Sequence, residues 1–243
     1  SSVRKNIHEM IRMVGDANRL RPHIKTHKTA EGIQLMIAAG IHKFKCATIA
    51  EAELLANNGA KDILLAYQPV GPKIERLYQL TKTYPKIQFS CLTDHQQAAN
   101  AIGIFFDHHQ SMIDVYVDLN VGMNRTGIAP EKALELIKSI QRIAGLNFKG
   151  LHVYDGHHRQ VDYAEKEIAC NQGFLQVQTL IKAIEKEGIT LEEQDVLPYL
   201  QHYRNQTGMN DNQILTELMK DNRFLGSDAT SQFWEASRKT SAD

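Results

Sequence analysis

The segment Arg21-Pro22-His23-Ile24-Lys25-Thr26-His27-Lys28 interleaves imidazoles with amines, and that arrangement can do carbonyl chemistry. Read as a strand over Leu20 to His27, it places Arg21, His23, Lys25 and His27 on one face, because alternate side chains of a strand point to opposite sides. Lys28 then falls on the other face. A lysine on a buried face, crowded by groups that can carry positive charge, is pushed toward the neutral amine that attacks a carbonyl carbon. Lys25 is therefore a candidate Schiff-base nucleophile. The plainer reading is a solvated strand end, the usual place for a lysine.

The elements that would position this lysine follow a regular pattern. From about residue 19 to about residue 186, short strand-like runs alternate with amphipathic helical stretches, as in repeated βα units around a parallel sheet. The strand candidates are Leu20 to His27, Phe44 to Thr48, Asp62 to Tyr67, Gln88 to Thr93, Ile113 to Asn120 and Phe148 to Asp155. Pro130 suits a first helical turn, with Ala133, Leu136, Ile137, Ile140 and Ile143 following at helical spacing. After the sixth strand, Val161, Ala164, Ile168, Leu175, Leu180, Ile181 and Ile184 predict a further helix, with Gly188 as its stop.

In the fifth strand Val115, Val117, Leu119 and Val121 share one face, which suits packed helices, while Asp114, Tyr116, Asp118 and Asn120 share the other. A polar face that does not meet helices is what a parallel barrel supplies, with strand tops converging on a ligand. A closed (β/α)₈ barrel needs about eight strands, and about six are legible before the pattern changes near Glu187. The expected fold class is thus an α/β barrel, incomplete in this chain, over residues 1–188. A divergent helical tail follows over 189–243, where Ile214, Leu215, Leu218 and Met219 have helical spacing. At the other end, Val3, Ile7, Met10, Ile11 and Val14 predict a helix with no strand before it.

Composition narrows the classes of function. Twenty-eight Lys+Arg balance twenty-eight Asp+Glu, so no global field draws the chain to a nucleic-acid backbone or an anionic membrane. The longest apolar runs, such as Ile63-Leu64-Leu65-Ala66, fall far short of the ~20 residues of a membrane span. No basic segment followed by an apolar run opens the chain, and Cys46, Cys91 and Cys170 lack paired or metal-ligand spacing. They read as small buried hydrophobes, no metal set is read, and a reducing cytoplasmic setting is expected.

The lysine segment, extended to Thr29, resembles the lysine-bearing strand of the fold-type III pyridoxal phosphate enzymes related to D-threonine aldolase and D-serine dehydratase. The resemblance continues in order through Cys46-Ala47-Thr48, Glu51-Ala52-Glu53 and Asp62-Ile63-Leu64-Leu65-Ala66-Tyr67. It runs on through Asp118-Leu119-Asn120-Val121-Gly122-Met123-Asn124-Arg125-Thr126-Gly127 and Gly150-Leu151-His152-Val153-Tyr154-Asp155-Gly156-His157. It implies an alanine-racemase-like barrel and pyridoxal 5'-phosphate as cofactor. Carried over, Lys25 is the lysine that holds the cofactor as a Schiff base, with His23 and His27 shaping its surroundings. Arg125 is the arginine near the cofactor's phenolic oxygen, where a fixed guanidinium would favour the phenolate. Tyr154 is the aromatic packed on the pyridine, and His157 matches a motif at the sixth strand's end. Plainer readings are a surface arginine for Arg125, a core aromatic for Tyr154 and a surface loop histidine for His157.

Family members are lyases that cleave a D-β-hydroxy amino acid by retro-aldol chemistry or eliminate its hydroxyl, with a divalent metal (Mn or Zn) near that hydroxyl. The resemblance therefore implies a small-molecule D-amino acid substrate and a homodimer, with D-threonine aldolase-like chemistry first and D-serine dehydratase-like elimination second. In the family a glycine-rich phosphate-binding segment and a metal-holding β-domain follow. Neither is legible in Ile189 to Asp243, where His202 is the one histidine. A truncated or remodelled, catalytically silent protein that at most binds the cofactor, or contributes a partial barrel to an assembly, is the alternative from a different class.

Overall fold

The computed structural model describes residues 2–191. Helix α1 (Ser2–Val14) precedes a βα alternation: α2 (Ala30–Ala38), β1 (Lys43–Cys46), α3 (Ile49–Asn57), β2 (Asp62–Leu65) and α4 (Pro72–Thr83). There follow β3 (Gln88–Thr93), α5 (Gln96–His108), β4 (Ile113–Leu119), α6 (Pro130–Ile140), β5 (Leu146–Val153) and α7 (Tyr163–Lys186). The strands form one sheet in the order β1-β2-β3-β4-β5, and β1, β2, β3 and β4 pair in parallel. Parallel strands in sequential order with a helix between each pair are the pattern of a (β/α) barrel wall. The expected tail, with His202 and the 214–219 stretch, lies outside the described residues.

Helix starts are written in the local sequence. Thr29, Thr48 and Asp162 accept the backbone N–H groups of Gly32, Glu51 and Glu165, so each supplies an N-cap side chain. Pro72 and Pro130 open α4 and α6, where a missing N–H costs nothing. Gly188 ends α7 at φ +71°, and the N–H of Ile189 returns to the carbonyl of Ile184.

The chain divides into two compact units. The first comprises residues 1–118 and 135–152 and contains most of the sheet. Its register separates two faces. Phe44, Ile63 and Phe89 form one cross-strand row, and Cys46, Leu65, Cys91 and Val115 form the next. All seven are buried. The opposite face carries the rows Lys43-Asp62-Gln88 and Lys45-Leu64-Ser90-Asp114, polar but for the buried Leu64. The alternation expected for β4 is present, with Val115 and Val117 fully buried and Asp114 and Tyr116 half-buried.

The segment Leu20 to His27 is not a strand. Only His23 pairs with Lys45, in parallel, and the N–H of Lys45 reaches the carbonyl of Pro22. Pro22 has no N–H to extend the ladder, and Ile24–Thr26 close into a 3₁₀ turn. The segment thus sits beside β1 where a first strand would run, with one bridge in place of a ladder.

The described part of the second unit covers residues 119–134 and 153–191. In α7 the buried stripe is Cys170, Phe174, Val177, Leu180, Ile181 and Ile184. Ile168 and Leu175 are exposed, and Val161 precedes the helix and is fully exposed. The predicted stripe had combined two faces: 168 and 175 are seven residues apart and share a side that 170, 174, 177, 181 and 184 do not.

Candidate active site

In the first unit, the lysine turn is built by its own histidines. The His23 ring is buried, and its Nδ1 accepts the backbone N–H of Lys25 at 3.2 Å. Burial lowers the His23 pKa to about 4, the charges of Lys25 and Lys45 push the same way, and Glu51 opposes them. A neutral ring with Nδ1 as acceptor is what the hydrogen bond requires. His27 repeats the device: its Nδ1 accepts the N–H of Thr29 at 3.2 Å, and burial lowers its pKa.

Lys25 itself is exposed. A buried strand position was expected; the 3₁₀ turn after Pro22 instead carries the residue outward. Lys28, the alternative amine, stands at φ +52° and places Nζ 3.2 Å from the Glu51 carboxylate. Glu51 is buried and also accepts the N–H of Ala47 at 2.7 Å. Lys28 is thereby held in an ion pair with a buried carboxylate, although its own side chain is exposed.

The polar sheet face adds groups that the sequence reading left without a role. The guanidinium of Arg21 grips both oxygens of Asp62, at 2.5 and 2.6 Å, and ties the lysine segment to β2. Asp118, also buried, meets His152 Nδ1 at 2.7 Å, and Asp114 accepts hydrogen bonds from Gln88 and Asn147. Lys149 and His152 differ in parity along β5, yet contact Asp114 and Asp118 on one face of β4. The alternation of β5 therefore changes near Gly150, its one residue of positive φ. Acid–base partners facing each other in this way were recoverable only from strand register.

In the second unit, residues 120–127 form a turn organised by Asn120. Its Oδ1 accepts the N–H groups of Gly122 and Asn124 at 3.1 and 3.0 Å, and the N–H of Asn120 reaches the carbonyl of Ile128. A Cβ on Gly122 would lie 2.6 Å from His157 Nε2, so this glycine admits the His157 ring. The exposed Arg125 places Cζ 5.1 Å from the centroid of the half-buried Tyr154 ring, a cation–π geometry. His157 stands 4.0 Å from His158, ring centre to ring centre.

Cys46, Cys91 and Cys170 are all buried, as the sequence suggested. Burial raises all three thiol pKa values, with Cys91 reaching about 12 and Cys170 about 11; Asp155 adds to the rise at Cys170. Cys170 nevertheless has partners that linear spacing hid. Its Sγ lies together with a carboxylate oxygen of Asp155 and a ring nitrogen of His158, all within 4.8 Å of one another.

An exposed primary amine on a turn fixed by a neutral imidazole is a donor arrangement that suits an aldehyde cofactor. Nearly all of the stretch from Ile189 to Asp243, in which neither the family's phosphate-binding segment nor its metal pair is legible, lies outside the described residues. Among the described residues no helix is long and apolar enough to cross a membrane.

Residues 1–194 match the family model described as alanine racemase, N-terminal domain. A 3-hydroxy-D-aspartate aldolase of Paracoccus denitrificans (strain Pd 1222) is 29% identical over 191 residues, which are 75% of this chain and 49% of that protein. A D-threo-3-hydroxyaspartate dehydratase of Delftia sp. (strain HT23) is 26% identical over 63% of this chain and 40% of its own length. The crystal structure of D-threonine aldolase from Filomicrobium marinum superposes with a TM-score of 0.72 at 28% identity. That alignment covers 78% of this chain and 52% of the other. The chain spans about half the length of the relatives it matches.

Proposed function

The chain belongs to the alanine racemase N-terminal domain family, and from that premise we propose that it is part of a pyridoxal phosphate-dependent D-amino-acid lyase. D-threonine aldolase-like chemistry is the reading we favour: retro-aldol cleavage of a D-β-hydroxy amino acid to glycine and an aldehyde. The similarity to a 3-hydroxy-D-aspartate aldolase and a D-threonine aldolase supports it. The observation that carries it is the Lys25 residue, exposed on a turn whose backbone N–H the neutral His23 ring holds at 3.2 Å.

The cofactor, when bound, supplies an electron sink for the pair released as a bond to Cα breaks. Lys25 is the residue whose amine would hold the cofactor. His23 fixes the turn on which that amine stands and, being neutral at pH 7, adds no competing positive charge. Arg125 is assigned the cofactor's phenolic oxygen, Tyr154 the pyridine ring and His157 a place beside the substrate, each by the family resemblance. Elimination in the manner of a D-serine dehydratase is the second reading, supported by the similarity to the Delftia dehydratase.

Two measurements test the proposal. Adding pyridoxal phosphate to the chain should give the visible band of a lysine-bound cofactor, fixed by borohydride on Lys25 and missing from Lys25→Ala. A band that survives in Lys25→Ala would overturn the assignment. With D-threonine, glycine and acetaldehyde identify the aldolase reading, whereas a 2-keto acid identifies elimination. Neither product, from a chain that does carry the band, would mark a silent cofactor-binding protein.

A further inference from the structure

We infer that Asp155, His158 and Cys170 form a binding site for one thiophilic divalent ion of the zinc class. The inference stands apart from the lyase reading. The metal that the family resemblance implies is held by a residue pair in the C-terminal segment, whereas these three residues fall within 155–170 of the second unit.

The donor set is the first argument. A carboxylate oxygen, an imidazole nitrogen and a thiolate sulfur are the ligand types of zinc, and three protein ligands leave one position of a tetrahedron open. Their atoms already lie within 4.8 Å of one another. Ligand bonds of about 2.0 to 2.3 Å set ligand-to-ligand separations near 3.5 Å, so closure needs contraction of roughly 1 Å.

Local structure explains why the three converge. The N–H of His158 bonds to the carbonyl of Asp155 at 3.2 Å, a tight turn that brings residues three apart to one side. Cys170 lies on the buried stripe of α7 and is 3% exposed, and Asp155 is 5% exposed. A structural thiol could be buried for packing alone. The second observation is His158: its Nε2 is buried and has no hydrogen-bond partner among the described residues. A buried ring nitrogen without a partner is costly, and a cation bound to that nitrogen would remove the cost. Binding exchanges the thiol proton of Cys170 for the ion, releasing one proton to solvent.

The test uses the untagged chain, stripped with a chelator and kept free of pyridoxal phosphate, and titrates it with Co²⁺ alone. One equivalent should produce a thiolate-to-cobalt charge-transfer band, which added Zn²⁺ abolishes by displacement. Cys170→Ser should lose the band, and His158→Gln should weaken Zn²⁺ binding more than about tenfold. Cys46→Ser, a buried cysteine of the first unit, should keep both. If Cys170→Ser does not fold, as circular dichroism would report, His158→Gln decides alone, since that ring is only half-buried. The inference is overturned if no band forms, if the band survives in Cys170→Ser, or if His158→Gln binds Zn²⁺ as the parent chain does. None of these readouts depends on lyase activity, so either proposal can fail without the other.

Discussion

His23 Nδ1 holds the backbone N–H of Lys25 at 3.2 Å, so the ring that caps the lysine turn can do so only while it is neutral. Burial keeps it neutral by lowering its pKa from 6.5 to about 4. In the unfolded chain the ring takes up its proton first, near pH 6.5. The contribution of this site is therefore complete above pH 6.5, declines as pH falls toward 4, and loses nothing more below that. The decline should amount to about 2 kcal/mol, reduced from the full shift because water still reaches part of the ring. His23→Asn keeps an acceptor for the same N–H and does not titrate in this range. Thermal midpoints across pH 4 to 7 should therefore fall less steeply in His23→Asn than in the parent chain. Superimposable slopes would mean that the neutral ring does not hold the turn.

Glu51 and Lys28 should contribute unequally to stability although they share an ion pair. Glu51 is buried and also accepts the N–H of Ala47, which Glu51→Ala would leave unpaired at a cost of about 1 to 3 kcal/mol. Lys28 is mostly exposed, so Lys28→Ala should cost less than about 1 kcal/mol. Urea midpoints of the two variants check the order. Lys28→Ala should also retain the cofactor band assigned to Lys25, whereas loss of the band in that variant would move the Schiff base to Lys28.

Strand positions and the polar face of β4 were legible because both rest on alternation, which a sequence carries directly. The sequence reading of Gln88 to Thr93 matches β3, and Asp114 and Asp118 fall on the polar face expected of them. Alternation failed at Leu20 to His27, since a run that alternates as a strand does can still be stopped by a proline without an N–H and a histidine that caps a 3₁₀ turn. Pairings across the sheet were out of reach for another reason. Arg21 with Asp62 and Asp118 with His152 depend on register, and the three-residue cluster at Cys170 depends on where α7 passes the 155–158 turn.

Arg125 should matter more for cofactor than for fold. It is exposed, and its contact with the Tyr154 ring is worth about 0.5 to 1 kcal/mol, so Arg125→Ala should shift the thermal midpoint little. Under the proposed function it should weaken pyridoxal phosphate binding and slow glycine release from D-threonine. Arg125→Lys should not restore either, because a point ammonium lacks the planar fork of a guanidinium. An equally large fall in thermal stability would make the arginine structural.

The turn carrying Arg125 closes on Gly127, and there the chain tolerates no side chain. Gly127 has φ +98°, and a Cβ would lie 2.6 Å from the backbone nitrogen of Asn120 and 2.7 Å from the carbonyl carbon of Leu119. Both obstacles are backbone atoms held by the bridge between Leu119 and Ile128, so neither can rotate away. Gly188 provides the control, with φ +71° and open space where its Cβ would be. Gly188→Ala should cost about 1 kcal/mol, the conformational penalty alone. Gly127→Ala adds a collision to that penalty and should cost about 3 kcal/mol. Urea unfolding of the two variants separates these contributions. Equal losses would show that the 120–127 turn yields more readily than its contacts imply, and that the position of Arg125 is correspondingly less fixed.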